Sequence, residues 1–122
     1  MMSNHLVFSI FEIVGSTLCV ASSDGQKVYD RLDPALNEGR GVTLSFRNVT
    51  TLTSAFLNAA IGQLYGKFSE EQVRSLLKVQ DMQSDDLGLL KRVVETAKIY
   101  FRDPQRFDQA VQETSTDNSN DT

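Results

Sequence analysis

A small α/β domain, with about four strands in a mixed sheet packed by helices, is the fold class that three observations predict. The spacing of apolar residues switches repeatedly between period two and period three-to-four along the chain. Gly, Asn, Asp and Ser punctuate the switches. The length of 122 residues suits one core that needs neither metal nor disulfide. Strands alternating with helices imply a sheet with helices laid on it, because each strand must have its apolar face covered.

Leu6 to Val14 is rich in Val, Ile and Phe and ends at Gly15. With the β-prone stretch Thr17 to Ala21 it predicts a strand pair or one bent strand. Ser22, Ser23 and Asp24 then offer N-cap oxygens to a helix in which Val28, Leu32 and Leu36 recur at i+4, with Gly39 and Gly41 as its stop. Val42, Leu44 and Phe46 alternate with Thr43 and Ser45, the period of a central strand, and Asn48 marks the turn after it.

From Ser54, the residues Phe56, Leu57, Ala60, Ile61 and Leu64 repeat at helical spacing as far as Gly66, a helix about 18 Å long. Ser69-Glu70-Glu71-Gln72 fits a capping box, with Ser69 as N-cap and Gln72 at N3. Val73, Leu76 and Leu77 follow and lead into a short strand, Lys78 to Met82. Ser84 is expected to cap the last long helix, with Asp85 and Asp86 in its positive first turn and Leu87, Leu90, Val94, Ala97 and Phe101 as its apolar stripe. Pro104 interrupts this helix, a short extra one is expected after it, and Tyr100, Phe101 and Phe107 are expected to pack that extension onto the domain. Thr114 to Thr122 contains only Thr, Ser, Asp and Asn. It has nothing to offset the entropy of ordering, so the domain is expected over residues 1–113 with a disordered polar tail over 114–122.

Composition restricts the function. The net charge is −4 and the 12 Lys and Arg are scattered, which argues against nucleic acid as a partner. The apolar run Leu6 to Val14 is broken by Ser9 and Glu12 and is too short to span a bilayer, so no membrane role is expected. Cys19 has no intramolecular partner, which excludes a disulfide framework and favours a reducing, cytoplasmic location. One His, one Cys, no glycine-rich phosphate loop and no metal-ligand spacing leave no catalytic constellation, so neither enzyme activity nor a cofactor is expected. His5 reads as a bystander near a terminus. Lys91, Arg92, Lys98 and Arg102, diluted by Glu95 and Asp103, read as a solvated helix face.

The functional signal lies between Val49 and Gly66, where no side chain ionises near neutral pH. A surface helix normally turns Lys, Glu or Arg to solvent. On the wheel, Phe56, Leu57, Ala60, Ile61 and Leu64 take one side, while Ala55, Asn58, Ala59 and Gly62 gather on the other. The second face is small and cheap to desolvate, which suits a docking surface. It equally suits packing against neighbouring helices of the same domain. At the start of the helix, Thr50, Thr51, Thr53 and Ser54 form a hydroxyl cluster. Ser and Thr there serve as caps, and Ser54 and Thr53 are candidates for a phosphorylation or anion site.

The run from Val42 through Thr53, Ser54, Ala55 and Phe56 to Gly62 resembles a STAS-like family of uncharacterised bacterial domains, more distantly similar to the STAS anti-sigma-factor antagonists. The resemblance covers most of the chain. It is carried by Asp24-Gly25 at the first helix, the strand Val42 to Phe46, the Ser54-Ala55-Phe56-Leu57 junction, Leu64-Tyr65-Gly66, and the last helix. In STAS antagonists a Ser at the equivalent helix start is phosphorylated by a histidine-kinase-like ATPase, and phosphorylation switches partner binding. Ser54 matches that Ser. Thr53 stands where an Asp commonly precedes it, and Ala55-Phe56 replaces the Ser-Gly that follows. The resemblance implies a regulatory interaction module whose partner is such an ATPase. A homodimerising structural domain and a small anionic ligand or nucleotide binder are the alternatives.

Overall fold

The computed structural model of the protein describes residues 5–102. The extra helix after Pro104, the packing of Phe107 and the polar tail lie outside the described residues.

The chain opens with strand β1 (Leu6–Ser9), but the apolar run does not continue as a strand. Ser9 accepts a hydrogen bond from the Glu12 amide and starts helix α1 (Ile10–Val14), and Gly15, at φ 79°, ends it. The expected strand pair is therefore a strand, one short helix and a two-residue strand, β2 (Leu18–Cys19). A Ser three residues ahead of a Glu is an N-terminal helix signal, and here it overrides the β propensity of Ile10, Ile13 and Val14.

Helix α2 (Ser22–Asn37) buries Val28, Leu32 and Leu36, the stripe expected, and adds Gly25 and Ala35 to it. Its end is a Schellman turn: the Gly39 amide bonds to the Leu36 carbonyl and that of Arg40 to Ala35, with Gly39 at φ 77°. Strand β3 (Val42–Ser45) follows and is buried along its whole length. Next come β4 (Thr51–Leu52) and α3 (Ser54–Ala60). The helix expected to run to Gly66 breaks at Ile61, and Gly62–Gly66 forms a 3₁₀ turn. The Gln63 side chain donates to the Ala59 carbonyl at 2.7 Å, satisfying one acceptor at the break. Helix α4 (Glu70–Leu76) begins on the expected capping box, with Ser69 and Gln72 bonding reciprocally. Strand β5 (Leu77–Gln80) and helix α5 (Ser84–Arg102) complete the described chain; Ser84 is already the first helical residue.

The sheet differs from the four-stranded mixed one expected. Among the described residues there are two parallel sheets, one in the order β1-β3-β5 and one of β2 with β4. Every return to a sheet passes through a helix, which is the connection that parallel pairing requires. The central strand, β3, was legible from its period. Leu6, Phe8, Val42, Leu44, Leu77 and Val79 share the face that joins the core. Thr43 and Ser45 lie on the other face, where Thr43 Oγ1 meets His5 Nε2 at 2.6 Å and Ser45 Oγ donates to Asp81 Oδ2 at 3.0 Å.

The core centres on α3. Phe56, Leu57, Ile61 and Leu64 are buried there with Val28 and Leu32 of α2 and Leu44 of β3. Each such side chain contributes roughly 1.5–3 kcal/mol relative to exposure.

Candidate functional site

Two helices flank α3, and their positions show where each residue of its small face goes. On the α2 side the two backbones nearly touch. A β-carbon placed on Gly25 would lie 2.3 Å from the Phe56 carbonyl oxygen and 2.9 Å from Ala59 Cβ. Only glycine allows that crossing. On the α5 side, a β-carbon on Gly62 would meet Ala97 and Val93 at 3.7 Å, and Gly62 is itself buried. Ala59 and Gly62 thus serve packing inside the domain. Ala55 and Asn58 of the same face remain exposed. Packing against α2 and α5 accounts for the absence of charge at Ala59 and Gly62, and leaves it unaccounted for at the exposed Ala55 and Asn58.

The hydroxyl cluster divides in the same way. Thr50 Oγ1 donates to the Thr17 carbonyl, and the backbone amides of Thr50 and Thr51 also reach Thr17. Thr53 is the N-cap of α3: its hydroxyl accepts from the Phe56 amide at 3.2 Å and donates to the Val20 carbonyl at 2.6 Å. An Asp at this position would make the same cap, so Thr53 replaces its local role with a neutral group. Ser54, the first residue of α3, is exposed, and its side chain makes no hydrogen bond to another described residue.

Ser54 opens onto a groove between α3 and α5. A cavity of about 360 Å³ is lined by Ser54, Asn58, Leu89, Arg92, Val93 and Thr96. Arg92 is its one charged lining residue and forms no ion pair with a described residue. Further along, Asn58, Gly62, Thr96, Ala97, Tyr100 and Phe101 line a second cavity of about 240 Å³. Sequence reasoning found α3 but missed the groove, because Leu89, Arg92 and Thr96 sit off the expected α5 stripe. That stripe is rotated: Val93 and Ala97 are the buried residues of α5, whereas Leu87 and Phe101 are 45% and 41% exposed.

Cys19 is fully buried in β2, and desolvation, with Asp24 nearby, pushes its thiol up to about 11. It is poorly suited to nucleophilic chemistry at neutral pH. Among the described residues, no three His, Cys, Asp or Glu side chains converge as a metal site would need, and no helix is long and apolar enough to cross a membrane.

The model of a family described as "STAS-like domain of unknown function (DUF4325)" matches residues 24–87, more than half of the chain, from the start of α2 through β3, α3, α4 and β5 to the first turn of α5. Neither the curated proteins nor the solved structures give a match. The protein belongs to the family of STAS-like domains of unknown function.

Proposed function

We propose that this domain is a regulatory protein-protein interaction module that docks through the Ser54 end of α3 and the adjoining α3–α5 groove. The observation that carries this reading is the exposed, uncommitted Ser54 beside exposed Ala55 and Asn58, at the mouth of a groove whose single charged residue is Arg92. A surface with so little charge is cheap to desolvate against a partner. The residues in and next to α3 that serve the fold, Thr53, Ala59 and Gly62, are distinct from those left for a partner.

The proposed partner is a histidine-kinase-like ATPase, and the proposed switch is phosphorylation of Ser54. A phosphate would add about −1.5 to −2 charges to a surface whose one charged lining residue is Arg92 and would oppose a desolvated contact. Incubating the protein with ATP and a purified ATPase of that fold from the same genome tests both elements. Ser54 is expected to gain one phosphoryl group by mass spectrometry, Ser54→Ala to gain none, and the modified protein to lose the complex on a sizing column. No phosphate on Ser54 or Thr53 and no complex with the unmodified protein would end this reading. A symmetric dimer of the pure protein in light scattering would favour self-association instead.

A further inference from the structure

On the opposite flank of α5, away from Ser54, the structure holds a second kind of site. A cavity of about 350 Å³ lies between the 3₁₀ turn, α4, β5 and α5. Its floor is aliphatic: Ile61, Val73, Leu77, Val79, Leu90 and Val94. It lies beside β5, an edge strand, and between the seven-residue α4 and the longer α5. Pockets that take small molecules have this make-up, an apolar lining with a few polar groups at the mouth.

The mouth is cationic in an acidic protein. Tyr65, Glu70, Arg74 and Lys98 rim it. Glu70 is already shared, bonding to Arg102 and standing 3.7 Å from Lys98. Those contacts hold its carboxyl below the usual range, so it stays ionised and spent on the helix pair. Arg74 makes no ion pair with another described residue. Tyr65 keeps its phenolic proton well past neutrality, since burial and the nearby Glu70 raise its pKa and outweigh Arg74. Of the charged groups that line the cavity, Arg74 and Lys98 stand against Glu70; Arg102 and Glu95 lie outside the lining, as neighbours of Glu70 and Tyr65.

We infer that this cavity binds a small amphipathic carboxylate, its hydrocarbon body on the Ile61, Val79 and Val94 floor and its head group on Arg74 and the Tyr65 hydroxyl. The volume admits on the order of ten non-hydrogen atoms at the ~30 Å³ each takes in a liquid. An eight-carbon monocarboxylate is of that size. Charge at the mouth selects a carboxylate over an amine of equal length, and the aliphatic floor supplies the affinity.

Octanoate, octylamine and 1-octanol are the probes, titrated into the full chain and followed by amide NMR shifts. Octanoate is expected to give saturable shifts on α4, β5 and α5 around Val73, Val79 and Val94, with octylamine at least tenfold weaker. Arg74→Glu is expected to weaken octanoate at least tenfold while changing 1-octanol less than twofold. Val94→Trp, which fills the cavity, is expected to remove both, with amide dispersion reporting that the chain is folded. Should Val94→Trp not fold, the Arg74→Glu comparison decides alone. The inference is overturned by non-saturating octanoate shifts, by shifts centred on the α3–α5 groove, by octylamine binding as well as octanoate, or by octanoate affinity indifferent to Arg74→Glu.

Discussion

Thr53 and Ser54 are adjacent hydroxyls with opposite duties, and substitution separates them. Thr53 makes two hydrogen bonds that join the start of α3 to the chain after β2. Loss of a cap costs about 1 kcal/mol and the second bond adds to it, so Thr53→Ala is expected to lower stability by about 1–2 kcal/mol in urea unfolding. Thr53→Asp keeps the acceptor but cannot donate to Val20, and should fall between wild type and Ala. Ser54→Ala touches neither bond and is expected to stay within about 0.5 kcal/mol. Cys19 makes a pH prediction. Its thiol moves from 9.0 to about 11 on folding, so between those values the folded state holds the proton that the unfolded state has released. Stability therefore falls as pH rises from 9 toward 11. Cys19→Ala should be less stable at neutral pH, because it empties buried volume, yet its stability should decline less across that alkaline window. Parallel slopes for the two proteins in denaturant titrations at pH 8, 9, 10 and 11 would contradict this.

At the scale of elements, the α2–α3 crossing and the interior proline of α2 are open to direct test. Gly25→Ala puts a methyl 2.3 Å from a backbone oxygen, and backbone cannot step aside as a flexible side chain does. The helices must separate, at a cost of about 1–3 kcal/mol, visible as a lowered melting temperature. Pro34 lies inside α2, exposed, with no amide to offer the Asp30 carbonyl. Pro34→Ala restores that bond and loses some restriction of the unfolded chain, for an expected net gain of about 1–2 kcal/mol. How much of each element the sequence disclosed follows from what its signal depends on. The β3 strand, the α2 stripe and the Ser69 capping box are local patterns, and all three were legible. The α1 helix was not, since five residues carry too little periodicity and only Ser9, Glu12 and Gly15 betray it. Separation of the sheets was illegible too, because β2 and β4 pair over two residues each and nothing in either names its partner. In the candidate site, the place of Ser54 at a helix start could be read from the chain. The groove beside it could not, because it depends on how far α5 is turned about its own axis.

Over the whole molecule, the question is which parts of the charge-free segment are interior and which are surface, and α2 and α5 between them decide it. Ala59 lies at the α2 crossing, and Gly62 beneath Val93 and Ala97. A long charged side chain at Gly62, which is buried, must pry α5 away or strand its guanidinium beside Val93 and Ala97, and one at the half-buried Ala59 must widen the close crossing with Gly25. Ala59→Arg and Gly62→Arg are therefore expected to cost about 3 kcal/mol each, Gly62→Arg chiefly by loosening α5, whose remaining ties include the bonds of Lys98 and Arg102 to Glu70. Hydrogen exchange should then rise along α5 in Gly62→Arg before it rises in β3. Ala55→Arg and Asn58→Arg, on the exposed part of the same face, should change stability by no more than about 0.5 kcal/mol. These two variants isolate the proposed docking role from the fold: with native melting curves, they are expected to lose any complex with the proposed ATPase partner, Asn58→Arg most, because it adds charge inside the groove beside Arg92. Complex formation that survives both substitutions would move the docking surface off α3.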